Sequence, residues 1–126
     1  MNLKLDTKEK FTVITPLEPE ISANMSGELI QSLTNQQKKE IPHVILNMRE
    51  VSTIDKTVLQ EIISQQEDYY NNNNSFVICE LNESILSVLE ENDWLDTMNI
   101  TPTESEAWDM VQMEEIEREI MNGFDD

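Results

Sequence analysis

Hydrophobic and polar positions along the chain alternate between two periods, and the switches between them mark the expected elements. Leu3-Lys4-Leu5 alternates like an edge strand. Phe11-Thr12-Val13-Ile14-Thr15 is a second strand candidate, rich in aromatic and β-branched residues and closed by Pro16 and Pro19. Two further runs, Val44 to Met48 and Phe76 to Cys79, are continuously apolar, as in strands buried on both faces of a parallel sheet. Helical spacing links Ile21, Met25, Leu29, Ile30 and Leu33, with Ser22 or Asn24 as the expected N-cap. It returns in Val58, Leu59, Ile62 and Ile63 behind Asp55, and in Ile85, Val88 and Leu89 behind Asn82. A last helix is expected from Thr103, whose spacing to Glu106 is that of a capping box, with Trp108, Val111 and Met110 inward. Met98-Asn99-Ile100 reads as a short edge strand, and Gly123-Phe124-Asp125-Asp126 as a frayed tail. Strands and helices thus alternate from Phe11 onward, the pattern of an α/β layer with crossover connections.

The junction at Asp55 is where recognition is expected. An apolar strand leads through Arg49 to Ile54 into Asp55, a strong helix cap, so Asp55, Lys56 and Thr57 stand in solvent on a rigid support. The strand, the loop ending in Ile54-Asp55 and the helix behind it resemble the STAS domain (sulphate transporter and anti-sigma factor antagonist). That family reads Asp-Ser-Ser/Thr-Gly-Leu here; this chain reads Asp55-Lys56-Thr57-Val58-Leu59. Asp, Thr and Leu match, whereas Lys56 replaces the phosphorylatable Ser and Val58 replaces the Gly. Pro19-Glu20-Ile21-Ser22 is similar to the family's Gly-x-Leu-Asp, with Ser22 as the counterpart of the Asp. Val88-Leu89 and Thr103 to Ala107 match later segments, so the resemblance covers about residues 3–112.

The resemblance implies a single α/β domain spanning residues 1–126, with a core over about 3–112 and an acidic helix and tail over 113–126. Its sheet would be mixed and mostly parallel, of four or five strands, with about four helices packed mainly on one side. It also implies a protein partner, an anti-sigma factor or a kinase-like regulator, held without catalysis by a surface of Ser22, Asn24, Asp55, Lys56, Thr57 and Gln60. Members carry a serine phosphoswitch at this helix start; Lys56 cannot serve it, and Thr57 is the one phosphorylation candidate left beside it. An accessory subunit of a permanent complex, such as a transporter's cytoplasmic assembly, is the alternative. Some members bind nucleotides, but nothing in this chain builds a nucleotide cradle. Read structurally alone, Asp55 is only a cap, Lys56 a solvated cation and Thr57 an early-turn polar residue.

Composition narrows the partners. Lys and Arg number 8 against 26 Asp and Glu, a net charge of −18 that excludes the counterion-displacing chemistry of nucleic-acid binding and disfavours anionic membranes. The same charge permits a basic partner, although solubility alone accounts for it. With two Gly there is no phosphate loop. One His and one Cys leave a zinc site without its ligands, and no Asp-x-Asp-x-Asp-Gly spacing suggests calcium, so no metal or cofactor is expected. His43 next to Pro42 reads as a strand-entrance residue and Cys79 as a small core residue. The chain is therefore expected not to be an enzyme. No apolar h-region follows Met1 and no stretch is long enough to span a membrane, which makes a soluble cytoplasmic protein the expectation.

Overall fold

The two continuously apolar runs form the centre of the sheet. In the computed structural model, which describes residues 1–124, β1 (Leu3–Thr7), β2 (Thr12–Pro16), β4 (Val44–Asn47), β6 (Phe76–Cys79) and β7 (Ile100–Thr101) align in the order β1-β2-β4-β6-β7. β1 pairs antiparallel with β2, and every other neighbouring pair is parallel. β4 and β6 lie side by side in the register Val44↔Phe76 through Asn47↔Cys79. Four helices complete the fold: α1 (Ser26–Gln37), α2 (Lys56–Asn71), α3 (Glu83–Glu91) and α4 (Glu104–Phe124).

Alternation along each strand divides the core in two. Ile14, Val44, Leu46, Phe76 and Ile78 point into a cluster with α1, α2 and α3 through Leu29, Leu33, Ile62, Tyr69, Ile85 and Leu89. Phe11, Val13, Ile45, Val77 and Cys79 point the other way, onto Ala107, Val111 and Trp108 of α4. Both faces of the central strands are covered, so they tolerate no polar alternation. Aromatic edge contacts pin each layer: Tyr69 meets Phe76 at 5.1 Å between centroids, and Phe11 meets Trp108 at 5.0 Å. Tyr69 also donates its hydroxyl hydrogen to Leu33 O, joining α2 to α1.

Three expectations change. Ile21 belongs to no helix: Glu20–Ile21 forms β3, which pairs in parallel with β5 (Thr53–Ile54) as a small second sheet. Ser22 and Asn24 do not cap α1 through their side chains, because a 3-10 turn over Ala23–Met25 intervenes and α1 begins at Ser26. Pro19 O is already taken by Ser52 and Thr53 N–H, and this pairing with β5 holds the chain extended where the Ile21-Met25 spacing had suggested helix. At the carboxyl end, α4 runs unbroken from Glu104 and includes Gly123 and Phe124 where a frayed tail was expected. The remaining tail positions, Asp125 and Asp126, lie outside the described residues.

Candidate partner-binding site

The small β3–β5 sheet is the device that assembles the site. Besides the ladder Glu20↔Thr53 and Ile21↔Ile54, Ser52 N–H donates to Pro19 O at 2.7 Å and Asp55 N–H to Ile21 O at 2.9 Å. The segment leading to α1 and the segment leading to α2 are therefore bolted together one residue before Ser22 and Asp55. A third helix start joins them. Asn82 caps α3 by accepting from Ile85 N–H at 2.9 Å, and its amide donates to Ser52 O at 2.8 Å. Three helix starts thus converge at one end of the sheet.

At the centre is the start of α2. Asp55 Oδ1 accepts from Thr57 N–H at 2.8 Å and from the Thr57 hydroxyl. These bonds, the hydroxyl's first, hold the Asp55 carboxyl below its usual range. Lys56 follows Asp55 in the chain, its ammonium 5.6 Å from the centroid of the Trp94 ring that follows α3. The first turn of α2 carries no acidic residue, so the Asp55 carboxylate at the cap and the Lys56 ammonium are the charges at this helix start. Ser22, Asn24, Asp55, Lys56, Thr57 and Gln60 are all exposed. The pairing brings Ser22 beside Asp55, Asn24 follows in the 3-10 turn, and Gln60 lies one helical turn beyond Lys56.

Two residues of this neighbourhood escaped the sequence reading. Asn82 was legible as a cap but not as the clamp on Ser52. Trp94 showed only as the end of a helical pattern, and no local signal ties it to Lys56, since cation–π partners depend on tertiary placement.

Groups with potential chemistry lie elsewhere and are committed to structure. Cys79 is buried between Glu80 and Glu104, and burial first, then these charges, pushes its thiol up to about 12, so it holds no thiolate at neutral pH. His43 Nδ1 accepts from Ser75 N–H at 3.0 Å, which ties the entrance of β4 to that of β6. Burial, followed by the Arg118 charge, lowers the His43 pKa below 6.5. Because the unfolded chain then takes up the proton first, the His43 contribution to stability is full above pH 6.5 and is lost as pH falls below it. Melting curves across that range should show the loss in the parent, and a smaller one in His43→Gln. Equal pH slopes in the two would remove His43 as its source.

Among the described residues no cluster of three His, Cys, Asp or Glu is placed to hold a metal ion. No described helix is long and apolar enough to cross a membrane.

Comparisons with known proteins agree with this architecture. A candidate anti-sigma factor antagonist from Thermotoga maritima superposes with a TM-score of 0.78 at 18% identity, covering 87% of this chain and 94% of that one. An anti-sigma factor antagonist from Mycobacterium paratuberculosis gives 0.77 at 14%, covering 88% and 93%. The murine Solute Carrier 26 family member A9 anion transporter gives 0.68 at 14%, over 82% of this chain but 18% of the transporter. At these identities the likeness shows the fold alone. No curated protein matches the sequence. The STAS domain family model matches residues 2–107, and the chain belongs to the STAS domain family.

Proposed function

We propose that the protein is a non-catalytic interaction module of the anti-sigma antagonist type, acting in the cytoplasm and holding a regulatory protein partner at the start of α2. The observation that carries this reading is the convergence of helix starts around an exposed Lys56 braced on Trp94. Backbone pairing supplies a rigid platform, and rigidity lowers the entropy lost on docking. The contact residues are Ser22, Asn24, Asp55, Lys56, Thr57 and Gln60.

Lys56 occupies the position of the family's phosphorylatable serine, so this module is fixed in one binding mode. A serine there gains about −2 charge on phosphorylation and turns from neutral to repulsive. A lysine takes up no phosphate in this way, so that repulsion does not arise at Lys56. Thr57 is the phosphorylation candidate left at this helix start, with an exposed hydroxyl that donates to the Asp55 carboxylate. Likeness to the murine transporter keeps an accessory role in a transporter assembly as the second reading.

The test starts by isolating the partner from native lysate and identifying it. A kinase-like or sigma-associated protein supports the first reading, and a membrane transporter the second. Titration of that partner then compares the parent with Lys56→Glu and Lys56→Ser. Charge reversal at the contact should raise Kd at least about tenfold, while Lys56→Ser stays near the parent. Asp55→Ala should lower Tm through loss of the helix cap. Unchanged affinity in Lys56→Glu would show that the α2 start is not the contact surface.

A further inference from the structure

The exposed face of α4 carries apolar side chains that the fold does not use. Met113 is 60% exposed, Ile116 53%, Ile120 52% and Met121 67%. Positions 106, 109, 113, 116 and 120 follow one another at steps of three and four, so Glu106, Asp109, Met113, Ile116 and Ile120 share one stripe. The stripe is acidic towards its amino end and apolar towards its carboxyl end. Alongside it, α4 and the edge strand β7 form a groove of about 420 Å³ whose lining joins Asn99, Thr101, Met110 and Met113 to the carboxylates Glu106, Asp109, Glu114 and Glu117. This face lies on the side of the sheet opposite α1 to α3.

Charge decides what fits there. α4 carries seven carboxylates and a single cation, Arg118. Arg118 is turned to the body of the protein, where Nη2 donates to Ser75 Oγ at 2.8 Å. Lys8 and Lys10 border α4 at Trp108 and Glu115, so a second copy would bring the carboxylates of the stripe and groove against one another with few cations to offset them, in a chain whose net charge is already −18. An added strand is also poorly served, since β7 offers only Ile100–Thr101 for pairing. Apolar anchors at helical spacing among carboxylates match an amphipathic helix with Leu-like residues on one face and Lys or Arg beside them.

We propose that the exposed face of α4, with the groove it forms against β7, docks a basic amphipathic helix of another protein. This surface is independent of the α2 start, and the two lie on different sides of the molecule, so both can be occupied at once.

The test uses the full chain and a synthetic helical probe carrying Leu at three-and-four spacing and Lys at its flanks. A counterpart with Glu for Lys serves as control. Amide chemical shifts are followed by NMR during titration. The expected result is a set of perturbed amides over residues 99–121, unperturbed amides over residues 53–60, and no binding of the Glu counterpart. The double substitution Ile116→Ser with Ile120→Ser should weaken the Lys probe about tenfold or more while the far-ultraviolet spectrum is retained, because both side chains are exposed. Equal affinity in the double variant, or shifts spread over the whole acidic surface, would mean charge adsorption alone and overturn the proposal. Shifts centred on residues 53–60 would place the probe at α2 and also overturn it. A dimer of the parent in sedimentation, dissolved by the double substitution, would assign the stripe to a second copy instead.

Discussion

Leu46→Ala is expected to cost about 3 kcal/mol of folding stability. Leu46 sits in the middle of β4, fully buried, paired with Ile14 on one side and Ile78 on the other. Its side chain enters the cluster that joins α1, α2 and α3 to the sheet, so the cavity opens where four elements meet. A neighbour could collapse into it only by leaving its own contacts, since strand pairing fixes the backbone on both sides. For a domain of this size the loss corresponds to a fall in Tm on the order of 10 °C. Leu5→Ala is the matched control: Leu5 is an exposed leucine of the edge strand β1, and its truncation should stay within about 0.5 kcal/mol. Denaturant unfolding of the three proteins checks both values. A cost for Leu46→Ala no larger than that for Leu5→Ala would show that β4 is not the organising strand of the core.

That centre was readable because its signal is local and double. Val44 to Met48 and Phe76 to Cys79 show no polar alternation, and only strands covered on both faces can afford that pattern. The caps at Asp55, Asn82 and Thr103 were readable for a related reason, since each bonds an amide two or three residues away. Pairing of β3 with β5 was not readable. It joins two-residue segments, Glu20–Ile21 and Thr53–Ile54, and Ile21 stands four residues before Met25 at convincing helical spacing. What overrides that spacing is a set of backbone bonds to a partner distant in sequence. The same holds at the candidate site, where Lys56 could be found from the motif but its position against Trp94 could not. Resemblance to the family points to the candidate site; tertiary bonding shows how its pieces are held.

Gln66→Leu is the second substitution with a large expected effect, and nothing in the pattern of α2 marks it. Gln66 is 3% exposed, a polar residue on the buried face of its helix. Its amide nitrogen donates to Phe76 O at 3.0 Å and to Asn99 O at 3.1 Å, and Asn99 N–H donates back to its Oε1 at 3.4 Å. The carboxamide thus acts as a rung between β6 and the residue preceding β7. Leucine fills a similar volume but serves none of these groups. Asn99 O keeps its bond from Ile78 N–H, whereas Phe76 O and Asn99 N–H lose the Gln66 bonds. Stranding such groups in a part-buried place should cost about 2 kcal/mol in total. The loss should also be local, because β7 is two residues long and has few other bonds to hold it. Amide exchange at Ile78 and Thr101 should therefore quicken more than at Leu46, while the α2 helix persists. Since Asn99 and Thr101 line the α4–β7 groove, the same substitution should weaken a helix docked there without touching any carboxylate or methionine of that surface. Uniform quickening of exchange throughout the sheet would show that Gln66 supports global stability only, and that the β7 edge needs no rung from α2.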